Sequence, residues 1–451
     1  MFYCLEKRLM MRRKTLLLLL FVLSIISTKI HAQNSEEPPL NDATLSALID
    51  YALEHQPAVK KATIDQEITD LQVKNKLADW YPQVNFNYNY QRNFQLPVNI
   101  VDGNSIRFGV DNSSALQFTA TQNIFNRDVL LASRTKDDVR FIAEKQVENA
   151  KINLVANVSR SFYDLLATQQ QLRITEENIA MLARSLKDAR ARYDAGVADK
   201  TDYQRATIAL NNAQASKRAI EEALRAKLAN LKYLINYPED RELTLQYDSA
   251  TLENEIYLDT LSTAVYTQRV EYQQLQAQLR LQEANVKYNK WSYIPSVSAN
   301  GAYIRNFQNN ALSKLYSQGF PNSYAALTLG FPIFQGGKRK NNISIAQKQV
   351  EQTRLDIENF TNQVNSEYQS ALAQYKASMA NYLALKENME LAAEVHRIIE
   401  LQYREGIKTY LELITAQTDL RAAQINYYNA VYSLLSSKID VLKAQGAINV
   451  K

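Results

Sequence analysis

Arg192-Tyr193-Asp194-Ala195-Gly196-Val197 and Gln402-Tyr403-Arg404-Glu405-Gly406-Ile407 close two long helical runs in the same way, 210 positions apart. Each sets a tyrosine three residues before a glycine and an apolar residue directly after it. The match extends outward, since Trp80-Tyr81-Pro82-Gln83-Val84 pairs with Tyr293-Ile294-Pro295-Ser296-Val297, and Asn123-Ile124-Phe125 with Pro332-Ile333-Phe334, at a nearly constant offset. The chain is one unit written twice, and duplication of this kind builds a quasi-symmetric object.

Proline is absent from 98 to 237 and again from 333 to the end, so both stretches escape the main helix breaker. Apolar or small residues recur three and four apart at Ile343, Ala346, Val350, Thr353, Ile357, Phe360 and Val364, and at Ile179, Leu182, Leu186, Ala189 and Tyr193. The return segments keep the rhythm at Leu413, Ala416, Leu420, Ala423 and Tyr427, and at Tyr203, Ala206, Leu210 and Ala213. This is a coiled-coil seam whose alanines let backbones approach closely. The spacing predicts long helices over 128–194 and 338–404, each on the order of 100 Å. Return helices follow over 199–235 and 409–445. Shorter helices over 42–78 and 263–290, stacked end to end on the returns, then close each repeat as a continuous layer.

Between short and long helices the period falls to two. In Val84-Asn85-Phe86-Asn87-Tyr88-Asn89-Tyr90-Gln91 the apolar and aromatic side chains fall on one face and the amides on the other. Leu116, Phe118 and Ala120 repeat the pattern, as do Val297, Ala299 and Tyr303, and Ala325, Leu327, Leu329, Phe331 and Ile333. Strands are expected over 83–91, 115–125, 296–307 and 324–334, close to the roughly 9–11 residues of a tilted membrane-crossing strand. Four strands cannot close. Lipid tolerates no open sheet edge, and the smallest bacterial barrels have about eight strands, so the chain has to oligomerise. A trimer with a twelve-stranded barrel is the simplest closed solution, and it turns the asparagine face into a wet pore. The fold class is therefore mainly α with a membrane β-barrel: repeat 1 over 42–236, an irregular polar linker over 237–262, repeat 2 over 263–446 and a short tail, 447–451.

The start of the chain reads as an export signal over 1–32: Arg12, Arg13 and Lys14, an apolar run from Leu16 to Ile26, and cleavage after Ala32. A segment over 33–41 leads into the first repeat. The single cysteine, Cys4, lies in that signal, so the mature chain has no thiol chemistry and no disulfide. Of 52 basic and 47 acidic residues, the signal holds six Lys or Arg and one Glu, which leaves 46 of each. That balance removes the electrostatic case for nucleic-acid binding. Beyond His31 only His55 and His396 remain, without metal-ligand spacing. No dinucleotide fingerprint or nucleophile elbow is present, and Gly336-Gly337-Lys338 lacks the upstream glycine of a P-loop. The reading is not an enzyme, with no cofactor and no metal. Lys338-Arg339-Lys340 is a basic run at a helix start, where it opposes the dipole; it suits either anionic headgroups or a solvated junction.

The order of these pieces resembles the TolC-like outer-membrane efflux protein family across essentially the whole mature chain. The most specific carriers are Gln122-Asn123-Ile124-Phe125-Asn126, Phe331-Pro332-Ile333-Phe334-Gln335-Gly336-Gly337 and the two turns around Gly196 and Gly406. The resemblance implies a homotrimeric duct in the outer membrane of a Gram-negative bacterium. It would carry a helical tunnel through the periplasm and meet a periplasmic adaptor protein and an inner-membrane transporter. Outer-membrane lipid would surround the barrel. The tip turns of the family contact the adaptor, which makes Gly196, Val197, Ala198, Gly406 and Ile407 the docking candidates.

The family's gate pattern maps onto Thr201 and Asp202 after the first glycine, and onto Tyr403 and Lys408 around the second. A carboxylate accepting a tyrosine or lysine bond would hold the coils inward until docking breaks it. Lysine stands where the usual pattern has arginine, so no bidentate fork forms. Glu412 falls where the family places an acid lining the constriction, while Thr415 replaces the second acid and implies milder cation selectivity. Cargo is not legible, because a wide polar tunnel imposes little chemistry. The competing reading is a secreted coiled-coil tether or adhesin, which gives no reason for two-faced strands at one place in both repeats.

Overall fold

The computed structural model of the protein describes residue 40 and residues 42–246, 255–260 and 265–450. The expected signal over 1–32, with Cys4 and His31, and nearly all of 33–41 lie outside the described residues, as does part of the 237–262 linker. The main body is Ala43–Arg241 with Leu245–Lys451. A small second unit runs up to Asp42 and includes Glu242–Thr244, where the Asp42 amide donates to Thr244 Oγ1 at 2.8 Å.

In chain order the body runs α1 (Leu45–His55), α2 (Pro57–Ala78), β1 (Gln83–Arg92), β2 (Val98–Val101), β3 (Asn104–Arg107), β4 (Asn112–Phe125), α3 (Arg127–Asp194), α4 (Lys200–Ile235), α5 (Val270–Lys290), β5 (Ser296–Asn309), β6 (Gly319–Gly330), α6 (Lys338–Arg404) and α7 (Tyr410–Gln445). Neither α3, with 68 residues, nor α6, with 67, contains a glycine or proline, and each is a single helix on the order of 100 Å long. Each packs against its return helix, α3 on α4 and α6 on α7, and the two repeats join where α3 packs on α7. Leu165, Leu166, Leu434 and Leu435 are all but fully buried along those two helices. Each such leucine stabilises the fold by about 1.5–3 kcal/mol.

Four antiparallel strands form one sheet in the order β1-β4-β5-β6, so the central pair β4–β5 comes from different repeats. The register sets Phe86 beside Phe118 and Phe118 beside Tyr303 on one face, and Asn85 beside Thr119 and Asn87 beside Gln117 on the other. Among the described residues both edges, β1 and β6, lack a second partner.

The elements depart from the sequence expectation in several places. The helix expected over 42–78 breaks at Gln56, which is extended (ψ 122°), because Pro57 has no N–H to give and restricts the residue before it. The helix expected from 263 starts at Val270, after a 3₁₀ turn over Tyr266–Gln268 and an extended Arg269. The strand expected over 324–334 lies at Gly319–Gly330: Pro332 ends it, while Pro321 is accommodated because β6 is an edge. Between β1 and β4 stands an unforeseen hairpin, β2–β3, turned by Asp102 and Gly103 with φ of 48° and 78°.

The breaks at Gln56 and Arg269 have one geometry and one purpose. Gln56 Nε2 donates to the Tyr233 and Leu234 carbonyls at 3.3 and 2.6 Å, which are the last acceptors of α4. Arg269 Nη1 donates to the Ala444 carbonyl, at 3.3 Å, at the end of α7. In both repeats the short helix begins where the return helix stops, with the N-terminal dipole of one against the C-terminal dipole of the other. From the linker, the Ile256 carbonyl accepts from Tyr375 Oη at 2.8 Å.

Candidate functional site

The turns joining α3 to α4 and α6 to α7 end their helices identically. The Val197 amide donates to the Arg192 carbonyl at 3.0 Å and the Gly196 amide to Tyr193 at 2.9 Å; Ile407 donates to Gln402 at 2.8 Å and Gly406 to Tyr403 at 3.1 Å. These are paired Schellman closures, and they require the positive φ that Gly196 (76°) and Gly406 (77°) supply. In most such closures the residue after the glycine packs back on the helix. Here Val197 and Ile407 are 75% and 71% exposed, so each turn presents an apolar side chain outward. Ala198 beside them is half-buried.

The helices that follow start under side-chain caps. Asp199 Oδ1 accepts the Thr201 amide at 2.8 Å, a bond that holds the Asp199 carboxyl below its ordinary pKa. Thr409 caps α7 in a full capping box: its hydroxyl accepts the Glu412 amide at 3.4 Å, and Glu412 Oε2 accepts the Thr409 amide at 2.9 Å. Glu412 Oε1 also accepts from Lys408 Nζ at 2.6 Å. The Lys408 bond first, then the Thr409 backbone and hydroxyl, bring the Glu412 carboxyl down to about 2.

Asp202 and Glu412 are repeat equivalents, 210 apart and each third in its helix. Only Glu412 has a side-chain cation. Tyr403 lies between the repeats: the Arg192 guanidinium sits 4.7 Å from its ring and the Tyr410 ring 6.1 Å away. Burial raises the Tyr403 hydroxyl pKa; the Arg192 charge opposes that rise, and the Asp202 and Asp188 charges add to it. Under the turns, Ala189, Ala206, Tyr410 and Leu413 form a small core flanked by Tyr203 and Tyr403. Burial also pushes the Tyr410 hydroxyl up to about 12.

Of the predicted gate residues, the structure therefore joins Lys408 to Glu412 and sets Asp202 within electrostatic range of Tyr403. Within one chain Asp202 receives no hydrogen bond from Tyr403 or Lys408, and Thr201 contributes its backbone amide to the Asp199 cap. Thr415 Oγ1 donates back to the Leu411 carbonyl at 2.8 Å. Two features escaped the sequence reading. Thr409-Tyr410-Leu411-Glu412 is a legible capping-box signature. Arg192 over Tyr403 joins residues 211 positions apart and leaves no local signal. Arg192, Tyr403, Asp188 and Gln417 also line a groove of about 540 Å³ between α3 and the α6–α7 pair. Among the described residues no cluster of His, Cys, Asp or Glu is placed to hold a metal, and no helix is long and apolar enough to cross a membrane.

The sheet is the second candidate surface. Its apolar face carries Val84, Phe86, Tyr88, Phe118, Leu327 and Leu329, all exposed in the single chain, and Val84 and Leu327 reach 70%. The opposite face carries Asn85, Asn87, Asn89, Gln117 and Thr119 in register. Such a sheet is built to stand between a lipid and an aqueous medium.

Comparison with known proteins gives one consistent picture. The sequence model of the family described as outer membrane efflux protein matches residues 48–236 and 263–447. The chain is 23% identical over 411 residues to the probable efflux pump outer membrane protein TtgC of Pseudomonas putida, covering 90% of this chain and 83% of that one. It is 18% identical to the outer membrane protein TolC of Escherichia coli, covering 87% and 80%. In structure it is similar to the Campylobacter jejuni CmeC outer membrane channel, with a TM-score of 0.72 at 18% identity and coverage of 89% and 85%.

Proposed function

The chain belongs to the outer membrane efflux protein family, and we propose from that premise that it is the outer-membrane channel of a tripartite efflux or type I secretion assembly. It passes small molecules or polypeptides from an inner-membrane transporter and a periplasmic adaptor across the outer membrane. The observation that carries this reading is the two-faced sheet with both edges unpaired, mounted on helical hairpins on the order of 100 Å long. Edges of that kind are stable in lipid only when further copies pair with them, and three copies supply twelve strands. A tether without a conduit has no use for an amide-lined face opposite an aromatic one.

At the far end, the exposed Val197 and Ile407, presented by Gly196 and Gly406 and flanked by Ala198, form the adaptor-docking surface. Two apolar side chains on rigid turns suit a partner that buries them. Thr201, Asp202, Tyr403, Lys408 and Glu412 form the periplasmic gate. Lys408 offsets Glu412, so Asp202 supplies the uncompensated negative charge, and threefold repetition around an axis gives a ring that favours cations. Transport here is passage through a gated path, with no bond made or broken in the cargo. Replacing Asp202 or Lys408 by alanine alters the charge balance of the gate and raises the conductance of the purified trimer in planar bilayers. Unchanged conductance in both variants removes these residues from the gate.

A further inference from the structure

The duplication supplies an internal control for the two places where a membrane strand hands over to a long helix. In the first repeat the handover is electrostatically favourable. Asn126 caps α3, Asp128 stands in the first turn at the positive end of the dipole, and Tyr288 Oη donates to Asp128 at 2.7 Å. The one cation there, Arg127, lies 4.5 Å from the Tyr288 ring. In the second repeat the corresponding turn is Lys338-Arg339-Lys340, with Gly337 before it, no side-chain cap and no acid in the first turn of α6. Three cations at that end work against the helix.

Their surroundings say what compensates. Lys338 and Lys340 are exposed and meet no carboxylate among the described residues. Arg339 is fixed: its guanidinium donates to the Pro332 carbonyl and lies 5.1 Å from the Tyr293 ring and 5.4 Å from the Phe331 ring. Just before the turn, in the irregular stretch that follows β6, Ile333 and Phe334 are each 88% exposed. Water favours neither bare apolar side chains nor a crowded cationic helix start. The boundary between hydrocarbon and anionic headgroups favours both, within one short loop.

We propose that residues 331–340 bind an anionic phospholipid of the periplasmic leaflet, with Ile333 and Phe334 beside the acyl chains and Lys338 and Lys340 on the headgroup phosphate. Arg339, held by its two rings, positions the turn. Each protomer carries one such site, at the second repeat only. The inference rests on the outer-membrane channel reading, since that reading sets this end of the sheet at a bilayer surface.

The test uses the full-length trimer in nanodiscs of phosphatidylcholine, with or without phosphatidylglycerol, and reads thermal melting. Phosphatidylglycerol raises the melting temperature of the wild type by several degrees. Lys338→Gln/Lys340→Gln, which leaves Arg339 and its rings intact, loses most of that rise while melting normally in phosphatidylcholine. Lys338→Arg/Lys340→Arg keeps the rise, and so does Lys60→Gln/Lys61→Gln, distant on α2. A rise that survives the Lys338→Gln/Lys340→Gln change overturns the proposal. So does an equal rise from inorganic phosphate in phosphatidylcholine alone, which would make the site one for a small anion. Protein that enters neither disc as a trimer defeats the channel reading itself, an outcome distinct from either.

Discussion

Glu412 joins a cap to an ion pair, and acid separates the two. Its folded pKa, about 2, lies below the ordinary 4.5, so the stabilisation it gives is fully present above 4.5 and is lost as pH falls toward about 2. Glu412→Gln keeps an acceptor for the Thr409 amide but carries no charge for Lys408. The melting difference between wild type and Glu412→Gln is therefore constant from neutral pH down to about 4.5 and shrinks below it. A difference that stays unchanged down to about 2 shows that the Lys408 bond contributes nothing. This residue also marks the limit of sequence reading at the tips. The glycines and tyrosines stood out because the duplication repeats them, and Thr409 with Glu412 carried a local signature. The Arg192–Tyr403 contact is set by how two distant helices pack, which no local pattern encodes.

The strands were legible where they alternate chemically, most plainly in β1, and alternation fixes register wherever the two faces meet different media. Phe86 and Asn87 are neighbours on opposite faces of β1, so they test that claim at a single point. Phe86→Lys sets a charge against lipid, at a cost of roughly 2–4 kcal/mol near the midplane, and lowers the yield of inserted protein. Asn87→Lys leaves insertion intact and shifts ion selectivity toward anions. Equal loss in both variants contradicts the two-faced assignment, as read by the membrane-inserted fraction. What periodicity hid was punctuation. A heptad count runs through Gln56 although Pro57 stops the helix there, and Asp102-Gly103 between Val98–Val101 and Asn104–Arg107 was a hairpin signal in a stretch to which the sequence assigned no element. The end-to-end helix junctions also differ in strength. Arg269, 8% exposed at its side chain, bonds to Glu271, Glu367 and Ala444, whereas Gln56 bonds only through a neutral amide. Arg269→Ala therefore lowers stability by about 1.5–3 kcal/mol, because it removes a buried guanidinium whose charged hydrogen bonds tie half-buried Glu271, exposed Glu367 and the end of α7 together. Gln56→Ala costs about 1 kcal/mol. Chemical denaturation of the two variants checks the ranking.

At the scale of the molecule, one chain leaves three kinds of surface unfinished. Among the described residues the β1 and β6 edges lack partners. Ile64, Ile68 and Leu71 on α2, and Leu383, Leu391 and Leu401 on α6, stand exposed in the single chain. The apolar sheet face, with Val84, Phe86, Leu327 and Leu329, is exposed in the single chain. In the proposed assembly, further copies of the chain cover the first two and a bilayer covers the third. The central claim is therefore an assembly claim, and the mass of the purified protein taken together with its conductance in a planar bilayer tests it most directly. The account predicts a trimer that inserts and opens a discrete ion-conducting pore. A monomer, or a trimer that inserts and never conducts, contradicts it.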